Sequence, residues 1–172
     1  MNQRTLLPHI VQTVRPSPLG PVLLAAGPQG LSGIWFVGQQ HFPDNAAWHD
    51  DDAHPVLHTA HQQLLAYFDG QRQTFELNLQ FVEGTPFQQA VWRALQDIPF
   101  GHTTTYGAIA QRIGKPQAVR AVGAAIGRNP WSVVVPCHRV VGANGSLTGY
   151  AGGLDRKTQL LALEARISSP IQ

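Results

Sequence analysis

The chain contains a single cysteine, Cys137, inside the run Val133-Val134-Val135-Pro136-Cys137-His138-Arg139-Val140-Val141. One thiol closes no internal disulfide, so a packed core must hold whatever fold forms. The thiol itself is left for reactivity, metal ligation or plain burial. Three β-branched residues in succession predict a buried strand, and Pro136 cannot continue its ladder. The strand is therefore expected to stop just before the thiol, leaving Cys137 at a turn that a substrate can reach. His138 and Arg139 add donors and positive charge, a setting that stabilises a thiolate. A free cysteine is commonly an inert small hydrophobe, but this surrounding sequence favours reactivity.

The 172 residues suffice for one domain or two small ones. At 43% hydrophobic and 13% charged, the chain reads as globular with a sparsely charged surface. No apolar run is long enough to cross a bilayer, and the N-terminus lacks a charged-then-apolar signal pattern. Together with the lone thiol this predicts a reducing, cytoplasmic setting and no membrane partner. The net charge of +2 says little, but its distribution says more. Residues 85–172 hold nine Lys or Arg against three Asp or Glu, whereas 1–84 hold three against seven. An anionic partner for the cysteine-bearing half follows.

The first half reads as a small sheet with one helix. Ile10 to Arg15, Pro21 to Ala26 and Leu31 to Val37 are expected strands, separated by Pro/Gly turns. Phe75, Leu77, Leu79 and Phe81 alternate with polar residues, the period of a half-buried strand. Between them, Leu57, Ala60, Leu64 and Phe68 mark one face of a helix over Pro55 to Phe68, with Gly70 as its stop. Five histidines (His41, His49, His54, His58 and His61) accompany Asp50-Asp51-Asp52. Pro55 puts His54 outside the helix, so a solvated acidic loop is expected there and no metal.

Gly84 is the expected domain junction. Thr85 opens a helix with Pro86 at its first position and Gln88 in capping-box spacing. Phe87, Ala90, Val91, Ala94, Leu95 and Ile98 form its apolar stripe, and Pro99 ends it. A second helix is expected from Tyr106 to Ile113, capped by Thr105 and closed by Gly114, and a third from Gln117 to Ile126. This pair reads as a helix-turn-helix. A last helix runs from about Leu154 to Ile167. In the third helix nearly every side chain is small, with Arg120 the one long exception. Val119, Val122 and Ile126 are expected to pack inward. A smooth helix with one cation also suits insertion into a nucleic-acid groove, with Arg120 reaching into the base stack.

Pro136-Cys137-His138-Arg139-Val140, Arg120-Ala121-Val122-Gly123-Ala124, Asn129-Pro130 and Gly149-Tyr150-Ala151-Gly152-Gly153-Leu154 together resemble the O6-alkylguanine-DNA alkyltransferases. These are also called methylated-DNA–protein-cysteine methyltransferases. The resemblance spans essentially all of 85–172, whereas in the first half only Ser17-Pro18-Leu19-Gly20 and the layout match. It implies a two-domain protein of mixed α/β and α+β class. Residues 1–84 would form a small ribonuclease-H-like domain, and 85–172 a winged-helix domain carrying the site. It also implies that the helix-turn-helix enters the minor groove of duplex DNA containing O6-alkylguanine, and that the damaged nucleotide is rotated out. In-line attack on a stacked base is sterically blocked, which agrees.

By the same resemblance Cys137 is the acceptor thiol, and His138 removes its proton through a bridging water. Glu164 orients the histidine, and Asn129 braces the turn. Read alone, Glu164 is an ordinary surface acid, Asn129 a C-cap before Pro130, and Tyr106 a packing residue. The resemblance gives Tyr106 the hydroxyl that faces the guanine leaving group, and Arg120 the vacated space in the stack. Tyr150 and the backbone of Val140 and Ala151 become the walls and rim of the base pocket. Gly152 and Gly153 are expected to leave space for the alkyl group. The family often has serine at 151, and alanine keeps the backbone N–H. Arg128 and Thr103 are expected phosphate contacts. The chemistry implies single-turnover transfer with no cofactor; the lack of a cysteine in the first half predicts no structural zinc, and a monomer is expected. A lesion-binding relative without the acceptor is disfavoured by Cys137. A sequence-reading regulator is disfavoured by the alanines of the third helix, and a cysteine hydrolase leaves Arg120 without a role.

Overall fold

The computed structural model describes residues 9–168. The strands β1 (Val11–Arg15), β2 (Val22–Gly27) and β3 (Gly30–Phe36) pair antiparallel in succession, the last two fully buried. A short β4 (His49–Asp50) adds parallel to β1, giving the order β3-β2-β1-β4. The segment expected to be a solvated acidic loop is thus partly recruited into the sheet. The Asp50 carboxylate accepts from Gln12 and that of Asp52 from the Thr13 hydroxyl, so polar side chains on β1 hold it there. The histidines disperse. His54 caps α1 (Pro55–Phe68), His61 donates to the Pro16 carbonyl, and His49 stacks on His9. Among the described residues no three His, Cys, Asp or Glu side chains converge as a metal-binding group.

Helix α1 lies across the sheet with Leu57, Ala60, Leu64 and Tyr67 buried. The expected stripe ended on Phe68. Instead Tyr67 is the fully buried ring, and Phe68 packs against the core only in part. The opposite sheet face is covered by Ile10, Trp35, Phe42 and Trp48 around Leu23 and Ala25.

Beyond Gly84 come α2 (Pro86–Leu95), β5 (Thr104–Thr105), α3 (Tyr106–Arg112), α4 (Val119–Gly127), β6 (Val140–Val141) and α5 (Leu154–Ser168). Both bonds of the expected capping box form. Thr85 Oγ1 accepts from Gln88 N at 3.1 Å, and Gln88 Oε1 accepts from Thr85 N at 3.0 Å. Helix α2 stops at Leu95 rather than Ile98, its end tightened by i to i−3 bonds from Gln96, Asp97 and Ile98. Helices α2, α3 and α4 pack on one another, and Trp92 Nε1 donates to the Ala125 carbonyl at 2.8 Å. Val122 and Ile126 pack inward as expected, but Val119, in the first turn of α4, is 39% exposed. The parallel pairing of β5 with β6 sets Thr105 beside Val141, so the start of α3 lies next to the chain leaving Arg139.

The outer edge of β3 decides where the site lies. Near its start Leu31 exchanges bonds with Asn78 and Gln80; further along, Ile34 exchanges bonds with Pro130 and Ser132. The edge is therefore shared, and Phe75 to Phe81 makes one bridge, Leu31 to Leu79, instead of the expected strand. Its alternation is real in burial, because Phe75, Leu77, Leu79 and Phe81 pack on the core.

The expected strand at Val133 to Val135 does not form either. These residues turn, with Val133 at φ +70°. Local bonds replace the ladder: Asn129 Nδ2 donates to the Trp131 and Val135 carbonyls at 3.2 and 2.8 Å, and its Oδ1 accepts from Trp131 N at 3.0 Å. Val133 and Val135 are nonetheless buried, so the β-branched run reports burial rather than strand. Trp131 anchors the whole turn. It is fully buried, packs edge-on against Phe81 and Trp92, and donates from Nε1 to the Leu31 carbonyl at 2.9 Å. Trp131→Ala should lower unfolding stability by about 3–5 kcal/mol in urea denaturation. A loss under about 1 kcal/mol would show that the turn is anchored elsewhere.

Candidate active site

Pro136 leads the chain into a single 3-10 turn, Cys137–Arg139, so adjacent side chains fan around an axis instead of alternating across a strand. All three are buried. The expected turn at the thiol is present, but no strand precedes Pro136 to be stopped there, and Cys137 is buried at 5% exposure rather than open to a substrate.

Helix α5 supplies Glu164, which reaches the turn fully buried. His138 Nε2 lies 2.7 Å from Glu164 Oε2. An ionised carboxylate only accepts, so the imidazole carries its proton on Nε2 and leaves Nδ1 as a bare acceptor. That Nδ1 is buried and has no hydrogen-bond partner among the described residues. Arg139 grips the same carboxylate, Nε to Oε1 at 2.7 Å and Nη2 to Oε2 at 2.9 Å. Its Nη1 donates to the Ile98 carbonyl at 2.6 Å. Gly101 N donates to Oε1 at 3.3 Å. Tyr67, from α1, donates to Oε2 at 2.6 Å. Burial alone would push the Glu164 carboxyl up, but the donors on His138 and Arg139 hold it well below the usual carboxylate range.

The electrostatics of the thiol differ from the sequence expectation. Arg139 is committed to Glu164, because its planar fork matches a carboxylate. The cation that favours the thiolate is Lys157 on α5. Its ammonium is fully buried and donates to the carbonyls of Val140 (2.6 Å), Thr148 (2.8 Å) and Gly149 (3.3 Å). Burial pushes the Cys137 thiol up, while the Asn129 amide and Lys157 act in the opposite direction. Burial likewise pushes His138 down, against the pull of Glu164. At neutral pH the pair is thiol and neutral imidazole.

Tyr106 stands at the first position of α3, its hydroxyl donating to the Thr148 carbonyl at 3.0 Å. That carbonyl is also a Lys157 acceptor, so one atom ties α3 to α5. Tyr150 has its hydroxyl buried, and Ala151 accepts from Gln40 N at 3.0 Å. The expected space at Gly152 is filled. A Cβ there would stand 2.8 Å from the Tyr150 ring and 3.1 Å from Phe36, so glycine is required by packing. Gly153, at φ +92°, faces open space, and a groove lined by Leu19 and Arg156 runs beside it. Arg120, Arg128 and Thr103 are exposed.

Residues 86–166 match the family model described as 6-O-methylguanine DNA methyltransferase, DNA binding domain. Residues 10–81 match the one described as 6-O-methylguanine DNA methyltransferase, ribonuclease-like domain. The chain belongs to the 6-O-methylguanine DNA methyltransferase family. It is 50% identical over 149 residues to the methylated-DNA–protein-cysteine methyltransferase of Methanosarcina acetivorans, covering 86% of this chain and 94% of that one. The crystal structure of Mycobacterium tuberculosis O6-methylguanine methyltransferase matches with a TM-score of 0.85 at 43% identity, over 94% of this chain and 96% of that one. The M. tuberculosis protein in complex with DNA matches at 0.83 and 44% identity, over 92% and 94%. The two-domain architecture, ribonuclease-like followed by DNA-binding, is therefore that of a 6-O-methylguanine DNA methyltransferase.

Two residues that shape the site of this family member escaped the sequence reading. Lys157 was legible only as an unpaired cation within a helix, and Tyr67 lies 97 positions from its partner. Glu164→Gln should leave the Arg139 guanidinium buried without its counter-charge. A stability loss of about 3–5 kcal/mol at neutral pH is expected. Because the folded carboxyl lies below its ordinary 4.5, its stabilisation is complete above that value and lost as pH falls through the folded one. The stability difference from wild type should therefore shrink on acidification. Denaturant melts at neutral and acidic pH check this, and a difference independent of pH would contradict it.

Proposed function

We infer that this chain repairs DNA by single-turnover transfer of the alkyl group from O6-alkylguanine in duplex DNA to Cys137. The observation that carries the reading is the Glu164–His138 pair, which leaves Nδ1 as a buried acceptor on the residue that follows the chain's one thiol, in a member of this family. The thiol proton passes through a bridging water to His138 Nδ1, and sulfur attacks the alkyl carbon. The C–O6 bond breaks, its electron pair leaving with guanine, and the proton taken from the thiol restores neutrality to the departing base. Tyr106, already donating at the Thr148 rim, is placed to stabilise the charge that develops there. Asn129 holds the turn, and Glu164 holds the histidine tautomer.

Arg120 stands exposed on a helix of small side chains and would fill the space left by the flipped nucleotide. Arg128 and Thr103 would contact phosphates, and Tyr150, Val140, Ala151 and Gly152 would line the base pocket. We place the division of labour at Gly84, with 1–84 as support and 85–172 as the reacting domain. The chain would act as a monomer in the cytoplasm, where its thiol stays reduced. No helix among the described residues is long and apolar enough to cross a membrane. A thioether is not displaced by ordinary thiols, so each molecule acts once.

Intact mass after mixing with duplex DNA carrying O6-methylguanine should rise by one methyl, saturate at one equivalent and map to Cys137. Cys137→Ser should show no change. Tight lesion binding without mass gain would overturn the reading. The pH dependence follows from the imidazole. Protonating His138 removes the base, and burial holds its value below 6.5. Single-turnover rates between about pH 5 and 8 should therefore stay level on acidification past 6.5 and fall only below it. Half-loss above that point would contradict this.

A further inference from the structure

We propose that Tyr67, on α1 of the N-terminal domain, is a positioning residue for the proton relay: its hydroxyl shares Glu164 Oε2 with His138 Nε2 and thereby limits how firmly the carboxylate holds a second proton on the imidazole. This rests on the alkyl-transfer reading for its consequence, though not for its geometry.

The two donors reach one oxygen from opposite domains, Tyr67 at 2.6 Å and His138 at 2.7 Å. The negative charge on Oε2 is divided among them and Arg139 Nη2. Each donor that is satisfied leaves less for the others. Tyr67 is fully buried, and its ring is fixed by Phe68, Phe75 and Phe100 at centroid separations of 5.4, 5.7 and 6.0 Å. Packing of that kind needs a ring but no hydroxyl. Burial and the neighbouring carboxylate push its phenol far above the ordinary value, so it stays a donor across the working range.

The charged and titratable groups around His138 come from every element packed on it. Cys137 and Arg139 lie on its own turn, Glu164 and Lys157 on α5, and Tyr67 on α1; Tyr150, before α5, feels Cys137, Tyr67, Glu164 and Arg156. Arg139 and Lys157 oppose protonation of the imidazole, and only Glu164 favours it. Whatever dilutes the charge on Oε2 therefore keeps His138 a free base. The domain that carries no reacting group would in this way set the acid limit of the reaction.

The test compares full-length wild type, Tyr67→Phe and protein with 3-fluorotyrosine installed at position 67. The readouts are the imidazole titration of His138 by NMR and the acid limb of the single-turnover rate. Tyr67→Phe removes the donor, so the His138 titration and the acid limb should both move up by about half a unit to one unit. Fluorotyrosine is a stronger donor that keeps the fold, so both should move down. A His138 titration unmoved in Tyr67→Phe, or moved the same way in both variants, would overturn the proposal and leave Tyr67 a packing residue. Should Tyr67→Phe not fold, the fluorotyrosine arm decides alone. Should wild type take up no alkyl group, the function fails, while the NMR titration still judges Tyr67.

Discussion

A carboxylate buried at Glu164 is the constraint on which the site depends. An isolated buried anion is costly, and it persists here because donors from three other parts of the chain converge on α5. Tyr67 comes from α1, Gly101 from the turn after α2, His138 and Arg139 from the 3-10 turn, and Glu164 itself from α5. These elements must therefore dock together for any of the charges to be satisfied. The arrangement also settles the charge balance at sulfur. Arg139 neutralises Glu164, so the anion needed to orient His138 does not oppose a thiolate next door. Lys157 is left as the uncompensated cation facing that thiolate.

The second constraint is the edge of β3. By giving half its backbone groups to Ile34's partners Pro130 and Ser132, the N-terminal sheet fixes the chain just before the reacting turn. Asn129 and Trp131 then complete a bend that Val133 enters at φ +70°. A β-branched residue resists that conformation, so the surrounding bonds must overdetermine it. The ribonuclease-like half thus grips the site twice, through β3 at the backbone and through Tyr67 at the Glu164 carboxylate.

What was legible in the sequence was local. Thr85 with Gln88, Pro86, Thr105 and Pro55 announce helix starts because caps act over three or four residues. Alternation at Phe75 to Phe81 and the valine run report burial correctly, yet neither becomes a strand. Pairing depends on which distant segment occupies an edge, and the β3 edge was already divided. Sequence proximity alone points to Arg139 as the thiol's cation. Its geometry suits Glu164, 25 positions away, and Lys157 takes the role instead. The resemblance placed His138, Glu164, Asn129 and Tyr106 in one site. The structure gives the first three their hydrogen bonds and turns Tyr106 toward Thr148.

A nucleophile used once must not react with the wrong electrophile. A thiol held at or below its ordinary value would present thiolate continuously to oxidants and small alkylating agents. Here burial works the other way, keeping Cys137 protonated and His138 neutral. In the proposed transfer the proton would have somewhere to go only when a water bridges to Nδ1 and an alkyl carbon lies in line. Reactivity is created by the geometry of the bound base rather than stored in the free protein. Both a buried base with one open nitrogen and a cation on carbonyl dipoles serve that arrangement. The stable carboxylate network behind them keeps it in place until the single reaction occurs.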